Sequence, residues 1–152
     1  MRTGWAALAA IVLALSACSG SPSEIADGPS KDPAESIKCT ALAPADIAAI
    51  AEGVKVTDTE LTSGALVPLA VEAQQLGVTQ VVAVRVSSPA GEDTAILGTG
   101  GEGSVVGPIV AADAFAKMYF TWGEAAQEGS PAGDFLDSLA VSDEAVQVKS
   151  CL

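Results

Sequence analysis

The chain of 152 residues contains no histidine, and aromatic residues make up only 4% of it. Without histidine, the Ser-His-Asp and Cys-His arrangements of nucleophilic catalysis are excluded. The G-x-S-x-G and S-x-x-K motifs of serine hydrolases are also missing from the sequence. A glycan-cleaving enzyme would need a cleft lined by aromatic side chains, which this composition supplies poorly. The sequence therefore predicts no catalytic residue.

Positive charge is scarce as well. Seven Lys and Arg residues stand against nineteen Asp and Glu residues, which gives a formal net charge of −12. The lysines and arginines are scattered along the chain and form no basic cluster. Because a nucleic-acid partner requires a basic patch, we expect no nucleic acid to bind. A strong negative charge is instead typical of a protein that stays soluble.

The N-terminus has the features of an export signal. An apolar run from Trp5 to Leu15 follows the single cation Arg2 and ends in small residues, as in secretory signal peptides. The segment Leu15-Ser16-Ala17-Cys18 resembles the lipobox of bacterial lipoproteins, in which the signal is cut before the cysteine and the thiol carries a diacylglycerol. The resemblance implies that residues 1–17 are a signal peptide and that Cys18 is lipidated.

Two alternatives to this interpretation remain open. An uncleaved transmembrane anchor needs about 20 apolar residues, and the run is much shorter. An ordinary cleaved signal would leave Cys18 without a role. The lipobox interpretation places the protein on the extracytoplasmic face of the cell membrane, with the bilayer as a partner through lipidated Cys18.

Residues 18–36 are predicted to form a lipidated cysteine and a disordered tether. The stretch is rich in proline, glycine and serine and holds almost no large aliphatic residues, so it cannot bury enough apolar surface to order itself. Residues 37–152 are predicted to form a single domain, a length typical of one core.

The three cysteines are consistent with export. If Cys18 is lipidated, Cys39 and Cys151 remain, one near each end of the domain, and an oxidising exterior favours a disulfide between them. Two separate buried thiols are the alternative. A zinc site is disfavoured because two cysteines without histidine make a poor tetrahedral ligand set. We therefore predict neither a metal nor a cofactor.

The hydrophobic pattern predicts a mixture of helices and strands in which two strands and two helices are consecutive. Residues 80–87 are the clearest strand, and with a strand over 93–99 they are expected to form an antiparallel hairpin. The other expectations are helices over 44–52, 111–124 and 134–140, a helical turn over 71–76, and strands over 54–61 and 144–151. Gly53 and Gly77 are expected to close the helical segments before them. This order predicts an α+β fold, a small antiparallel sheet with helices packed on one face and one disulfide.

Gly98, Gly100 and Gly103 match the G-x-G-x-x-G pattern of dinucleotide-binding loops. The residues that follow are β-branched and end in Pro108, so no helix N-terminus would meet a pyrophosphate. Glu102 would also bring a negative charge to the phosphates. A mobile loop over residues 98–107 is the expected structure, with ligand gating or partner binding as the alternatives. Carboxylate pairs such as Asp134 with Asp137 are expected to be solvated.

The helix predicted over residues 111–124 carries an apolar stripe with helical period, formed by Phe115, Met118, Tyr119 and Trp122. The stripe is expected to face the core. Phe120 lies off the stripe. The sequence-based candidate for a partner or ligand surface is therefore the shallow apolar side formed by Ala116, Phe120 and Gly123.

Residues 39–50 (CTALAPADIAAI) resemble the start of uncharacterised actinobacterial lipoprotein domains, in which a cysteine precedes a Leu-x-Pro-x-acid segment that opens a helix. The resemblance implies an envelope protein and carries over no active-site residue. The function expected from the sequence is non-enzymatic binding of an envelope protein or a small ligand. The alternatives are a small hydrolase acting on cell-wall or glycan polymers, and an accessory subunit of a membrane complex.

Overall fold

The structure, a computed structural model, describes residues 38–123 and 129–152. The strands in this part of the chain are β1 (Thr40–Ala41), β2 (Glu60–Pro68), β3 (Gln80–Ser88), β4 (Gly91–Thr99) and β5 (Ile109–Ala111). The α-helices there are α1 (Pro44–Ala51), α2 (Ala114–Tyr119), α3 (Pro131–Ala140) and α4 (Asp143–Lys149). None of these helices is long and apolar enough to cross a membrane. The predicted signal peptide, Cys18 and the whole of the predicted tether lie outside the described residues.

The five strands form one antiparallel sheet in the order of the chain, from β1 to β5. The predicted hairpin is confirmed: β3 and β4 pair along their whole length, from Gln80 opposite Thr99 to Ser88 opposite Gly91. Two residues, Pro89 and Ala90, connect them. The α+β class predicted from the sequence is therefore confirmed.

Helices cover both faces of this sheet, whereas the sequence analysis placed them on one. Successive residues of β3 enter different cores: Val81 and Ala83 pack with α3 and α4, while Val82 and Val84 pack with α1 and α2. Because neighbouring side chains on a strand point to opposite faces, an uninterrupted apolar run is typical of a strand buried on both sides. The run Val81-Val82-Ala83-Val84 is such a pattern and indicated that β3 is buried on both faces.

The last element is a helix and not the predicted strand over residues 144–151. The side chain of Ser142 accepts a hydrogen bond from the backbone amide of Ala145 and so caps α4. Ala145 and Val148, three residues apart, are buried, while Val146 is 65% exposed. The Val-x-Val spacing indicated a strand, but the cap and the i, i+3 burial belong to a helix.

Two other elements differ from expectation. Helix α2 spans six residues and not the fourteen predicted, because Phe120 has an extended backbone and forms an antiparallel bridge with Val54. Residues 54–59 form no regular strand, and β2 begins only at Glu60. A contact between segments 66 positions apart decided both differences, and no local pattern encodes it.

Helices α1 and α3 lie close to their predicted positions. Near the predicted turn over 71–76, a short 3-10 helix spans Val71–Ala73, and Gly77 has the expected left-handed backbone, with φ 76°. Gly53 does not. Helix α1 ends through Glu52 with φ −58°, and Gly53 lies against the indole of Trp122, where a Cβ atom would overlap the ring.

The predicted disulfide is confirmed. Cys39 and Cys151 are bonded, with their Cα atoms 6.4 Å apart and 112 positions between them in sequence. The bond joins the segment that enters β1 to the end of α4. It therefore fixes the position of residues 38–40 relative to the rest of the domain.

Candidate functional site

A cavity of about 400 Å³ lies between the β1–β2 end of the sheet and the glycine-rich loop of residues 100–108. We call it the loop cavity. Its charged and polar lining residues are Lys38, Thr40, Gln74, Thr79, Gln80 and Glu102. Leu66 and Pro68 of β2 contribute apolar surface, and Gly101 and Gly103 contribute backbone. A concave site of this size with a few convergent polar groups is typical of small-molecule binding.

Gln80 organises the wall of the loop cavity. Its side chain is 1% exposed, and its Nε2 donates hydrogen bonds to the carbonyl oxygens of Gly100 at 2.9 Å and Ser104 at 2.6 Å. The same nitrogen lies 3.1 Å from the hydroxyl oxygen of Thr99. The Oε1 atom accepts a hydrogen bond from the amide of Gly103 at 3.3 Å. One buried amide thus fixes the loop at three points.

Further hydrogen bonds hold the same loop. The hydroxyl of Thr79 donates to the carbonyl of Gly101 at 2.6 Å, and the amide of Val105 donates to the Asp46 carboxylate at 2.9 Å. Gly101 and Gly103 have φ values of 99° and 74°, a backbone region that favours glycine. A mobile loop is expected from the sequence. In the structure the loop is instead held by hydrogen bonds to Gln80 of β3 and to Asp46 in the first turn of α1.

The loop does not have the geometry of a dinucleotide site. Residues 104–108 contain no helical turn, and the chain passes from the loop into β5. No helix N-terminus therefore follows the glycines, as the sequence predicted. The glycines serve instead to fold the loop back over Gln80. A Cβ atom at Gly100, for example, would lie 2.6 Å from the carbonyl oxygen of Val106.

Lys38 and Glu102 bring opposite charges to the loop cavity, and both residues are exposed. Neither forms an ion pair with a partner in the part of the chain that the structure describes. The cavity therefore presents one cation and one anion that are both available to a ligand.

A second cavity, of about 610 Å³, lies between α2 and α3 and is called the helix cavity. Asp113, Lys117 and Asp137 line it together with small residues. Lys117 and Asp137 form an ion pair at 2.7 Å. Asp134 and Asp137 are both exposed, as expected from the sequence, and the ion pair of Asp137 lies at the surface.

Asp113 is a partly buried carboxylate with a structural role. Its Oδ1 accepts a hydrogen bond from the amide of Ala116 at 2.7 Å and caps α2. Its Oδ2 accepts a bond from the amide of Ile96 at 3.3 Å and lies 3.9 Å from Lys149 Nζ. Burial raises the pKa of Asp113, against the lowering effect of these hydrogen bonds and of the Lys149 charge.

The sequence-based surface of Ala116, Phe120 and Gly123 is wrong as a contact surface. Ala116 and Phe120 are both 0% exposed and belong to the core beneath α1 and α2. Met118 of the expected core stripe is instead 62% exposed. The reason is the early end of α2: the extended backbone at Phe120 turns its ring into the core. Gly123 alone reaches a cavity, the wall of the helix cavity.

Gln80 is a site residue that was not predicted from the sequence, although it begins the clearest predicted strand. Its side chain gave an indication of this role. Gln80 is a long polar side chain at the start of a β-branched run, and such a residue must find hydrogen bonds when it is buried. Which groups would satisfy it could not be read from the sequence, because they come from residues 99–104.

Within the described residues, no group of three or more His, Cys, Asp or Glu side chains is placed to hold a metal ion. No protein-family model matches the chain, and neither a curated protein nor a solved structure matches it at a significant level. No relative's activity can therefore be carried over to this protein.

Proposed function

We propose that the protein is a membrane-anchored extracytoplasmic lipoprotein whose domain binds a small ligand without catalysing a reaction on it. The loop cavity carries the binding part of the proposal. Its polar groups converge on a concave surface, its wall is held by a buried amide, and its two charges form no ion pair within the described residues. A loop backbone that is held by hydrogen bonds, together with two charges that can contact a ligand, favours recognition of a ligand.

The anchoring part rests on the segment Leu15-Ser16-Ala17-Cys18. We expect Cys18→Ala to release the protein from the membrane fraction or to leave it unprocessed, whereas a Cys39→Ala variant should remain anchored. The measurement is membrane fractionation with gel mobility. A Cys18→Ala variant that fractionates and migrates like the wild type would contradict lipidation.

The binding part is tested with isotope-labelled full-length protein and a low-molecular-weight extract of bacterial envelopes. We expect amide resonances of residues 79–80 and 100–104 to shift, because these residues form the wall of the cavity. Resonances of β4 near Asp93, at the far end of the sheet, serve as an internal control. Spectra without change around the loop cavity would contradict a binding role for it.

One observation favours a second function, a hydrolase acting on cell-wall or glycan polymers. Asp113 and Asp137 both line the helix cavity, and burial raises the pKa of Asp113 as in many general acids. Against this, Asp113 caps α2 and Asp137 is paired with Lys117. Release of soluble fragments from wall polymers, lost in Asp137→Asn and retained in Asp134→Asn, would support the hydrolase and contradict our proposal.

A further inference from the structure

The loop cavity places a cation and an anion on different walls. Lys38 belongs to the segment that enters β1, and Glu102 lies at the centre of the glycine-rich loop. Two opposite charges on long side chains at one cavity can be expected to pair, yet they form no ion pair within 4 Å. Each charge is therefore exposed and, within the described residues, available to a ligand.

Both walls are held in place by interactions outside the cavity. Lys38 precedes Cys39, which is bonded to Cys151, and Thr40 pairs with Leu66 in the sheet. Glu102 lies between Gly101 and Gly103, whose backbones are bonded to the side chains of Thr79 and Gln80. A ligand that meets both charges would therefore order the two exposed side chains but not the backbone that carries them.

The surface between the two charges is uncharged and mixed. Thr40, Gln74 and Thr79 can exchange hydrogen bonds with a ligand, and the exposed Pro68 offers apolar contact. A volume of about 400 Å³ lies at the small end of the range for ligand sites, roughly 300–1,000 Å³. The volume suits a compact molecule with a charge at each end.

We propose that the loop cavity binds a small zwitterion, a free amino acid or a short peptide, with its ammonium group at Glu102 and its carboxylate at Lys38. The inference rests on the binding role proposed above and names the chemical class of the ligand. An apolar side chain of that ligand would lie on Pro68. The two opposite charges, which form no ion pair within the described residues, and the uncharged surface between them together favour a molecule that carries both charges.

Isothermal titration calorimetry of the full-length protein tests this with the dipeptide alanyl-leucine, its N-acetyl form, its C-terminal amide, and free leucine. We expect a Kd between roughly 10 µM and 1 mM for the dipeptide, and an affinity weakened about 3- to 10-fold by removal of either charge. Tighter binding of the dipeptide than of leucine would identify a peptide as the ligand, and the reverse an amino acid.

Variants assign each end of the ligand. Lys38→Gln should weaken binding of the dipeptide and leave binding of its C-terminal amide unchanged. Glu102→Gln should weaken binding of the dipeptide and leave binding of its N-acetyl form unchanged. Lys117→Gln and Glu60→Gln, which change the same charges away from the cavity, should bind like the wild type.

Two outcomes would overturn the inference: no heat of binding at about 10 mM dipeptide or leucine, or affinities that do not depend on the ligand's charges. If the envelope extract shifts the loop resonances while these probes do not bind, the binding role stands and only the ligand class is wrong. If neither has an effect, both proposals fail.

Discussion

Gln80→Met is the most direct test of how the loop cavity is built. Methionine has nearly the same length and volume, so the substitution leaves no void, but it removes the donors to Gly100 and Ser104 and the acceptor for Gly103. A buried group left without a partner costs about 1–3 kcal/mol. Gly103 is exposed and can turn to water, and the Gly100 carbonyl keeps its hydrogen bond from the Val106 amide at 3.3 Å. The buried Thr99 hydroxyl and the partly buried Ser104 carbonyl lose the Gln80 donor. We therefore expect a loss of roughly 1–3 kcal/mol of unfolding free energy.

Urea unfolding of the wild type and the variant measures this difference. Gln74→Met is the matched control, because Gln74 also lines the cavity but is exposed and donates one hydrogen bond, to the carbonyl of Leu69 at 3.2 Å. It should cost less than about 1 kcal/mol. Amide hydrogen exchange should be accelerated in residues 100–106 of Gln80→Met before the rest of the domain.

Two results would refute the reasoning. If Gln80→Met unfolds within about 0.5 kcal/mol of the wild type, the amide does not hold the loop. If the variant is destabilised but exchange in the loop is unchanged, Gln80 acts through the core of the sheet and not through the cavity wall.

Three further predictions concern the domain as a whole. Cys39→Ser with Cys151→Ser should destabilise by roughly 2–5 kcal/mol in urea, since the bond closes a long loop; equal stability of the reduced and oxidised wild type would contradict this. Phe120→Ala should cost about 3–5 kcal/mol through a core cavity, against less than about 1 kcal/mol for exposed Met118→Ala, and similar melts of the two variants would argue against the burial of Phe120. Burial raises the pKa of Asp113 above 3.8, so the folded state binds its proton more tightly. The stability contributed by that proton is lost as the pH rises from 3.8 through the folded pKa. Over this range the stability of Asp113→Asn should therefore improve relative to the wild type, and a constant difference would exclude the shift.

The sequence by itself determined those parts of the fold that depend on neighbouring residues, together with the disulfide, whose two cysteines remain when Cys18 is assigned to lipidation. The β3–β4 hairpin follows from two apolar runs around a short turn, and α1 follows from a proline in its first turn. Cys39 and Cys151 follow from counting, because they are the pair left after Cys18. The hairpin and the helix need only local geometry, and the disulfide needs only the prediction that the protein is exported to an oxidising environment.

Some local signals were present and were outweighed by another pattern. Residues 142–149 contain a serine N-cap, two acidic residues in the first turn and a lysine in the last, all of which favour a helix. The Val146-x-Val148 spacing fits a strand equally well over so short a segment. Burial decided between them, because Ala145 and Val148 pack together against the sheet.

Only the tertiary structure decided the end of α2 and the construction of the loop cavity. Phe120 leaves the helix because Val54 offers a strand partner, and the gain from that long-range bridge and from burial of the ring exceeds the local preference for helix. Gln80 is satisfied by residues 19 to 24 positions away, and Lys38 reaches the cavity through a disulfide to the opposite end of the domain. Periodicity and capping report on contacts within a few residues, whereas this site is formed by contacts between segments that meet only when the chain has folded.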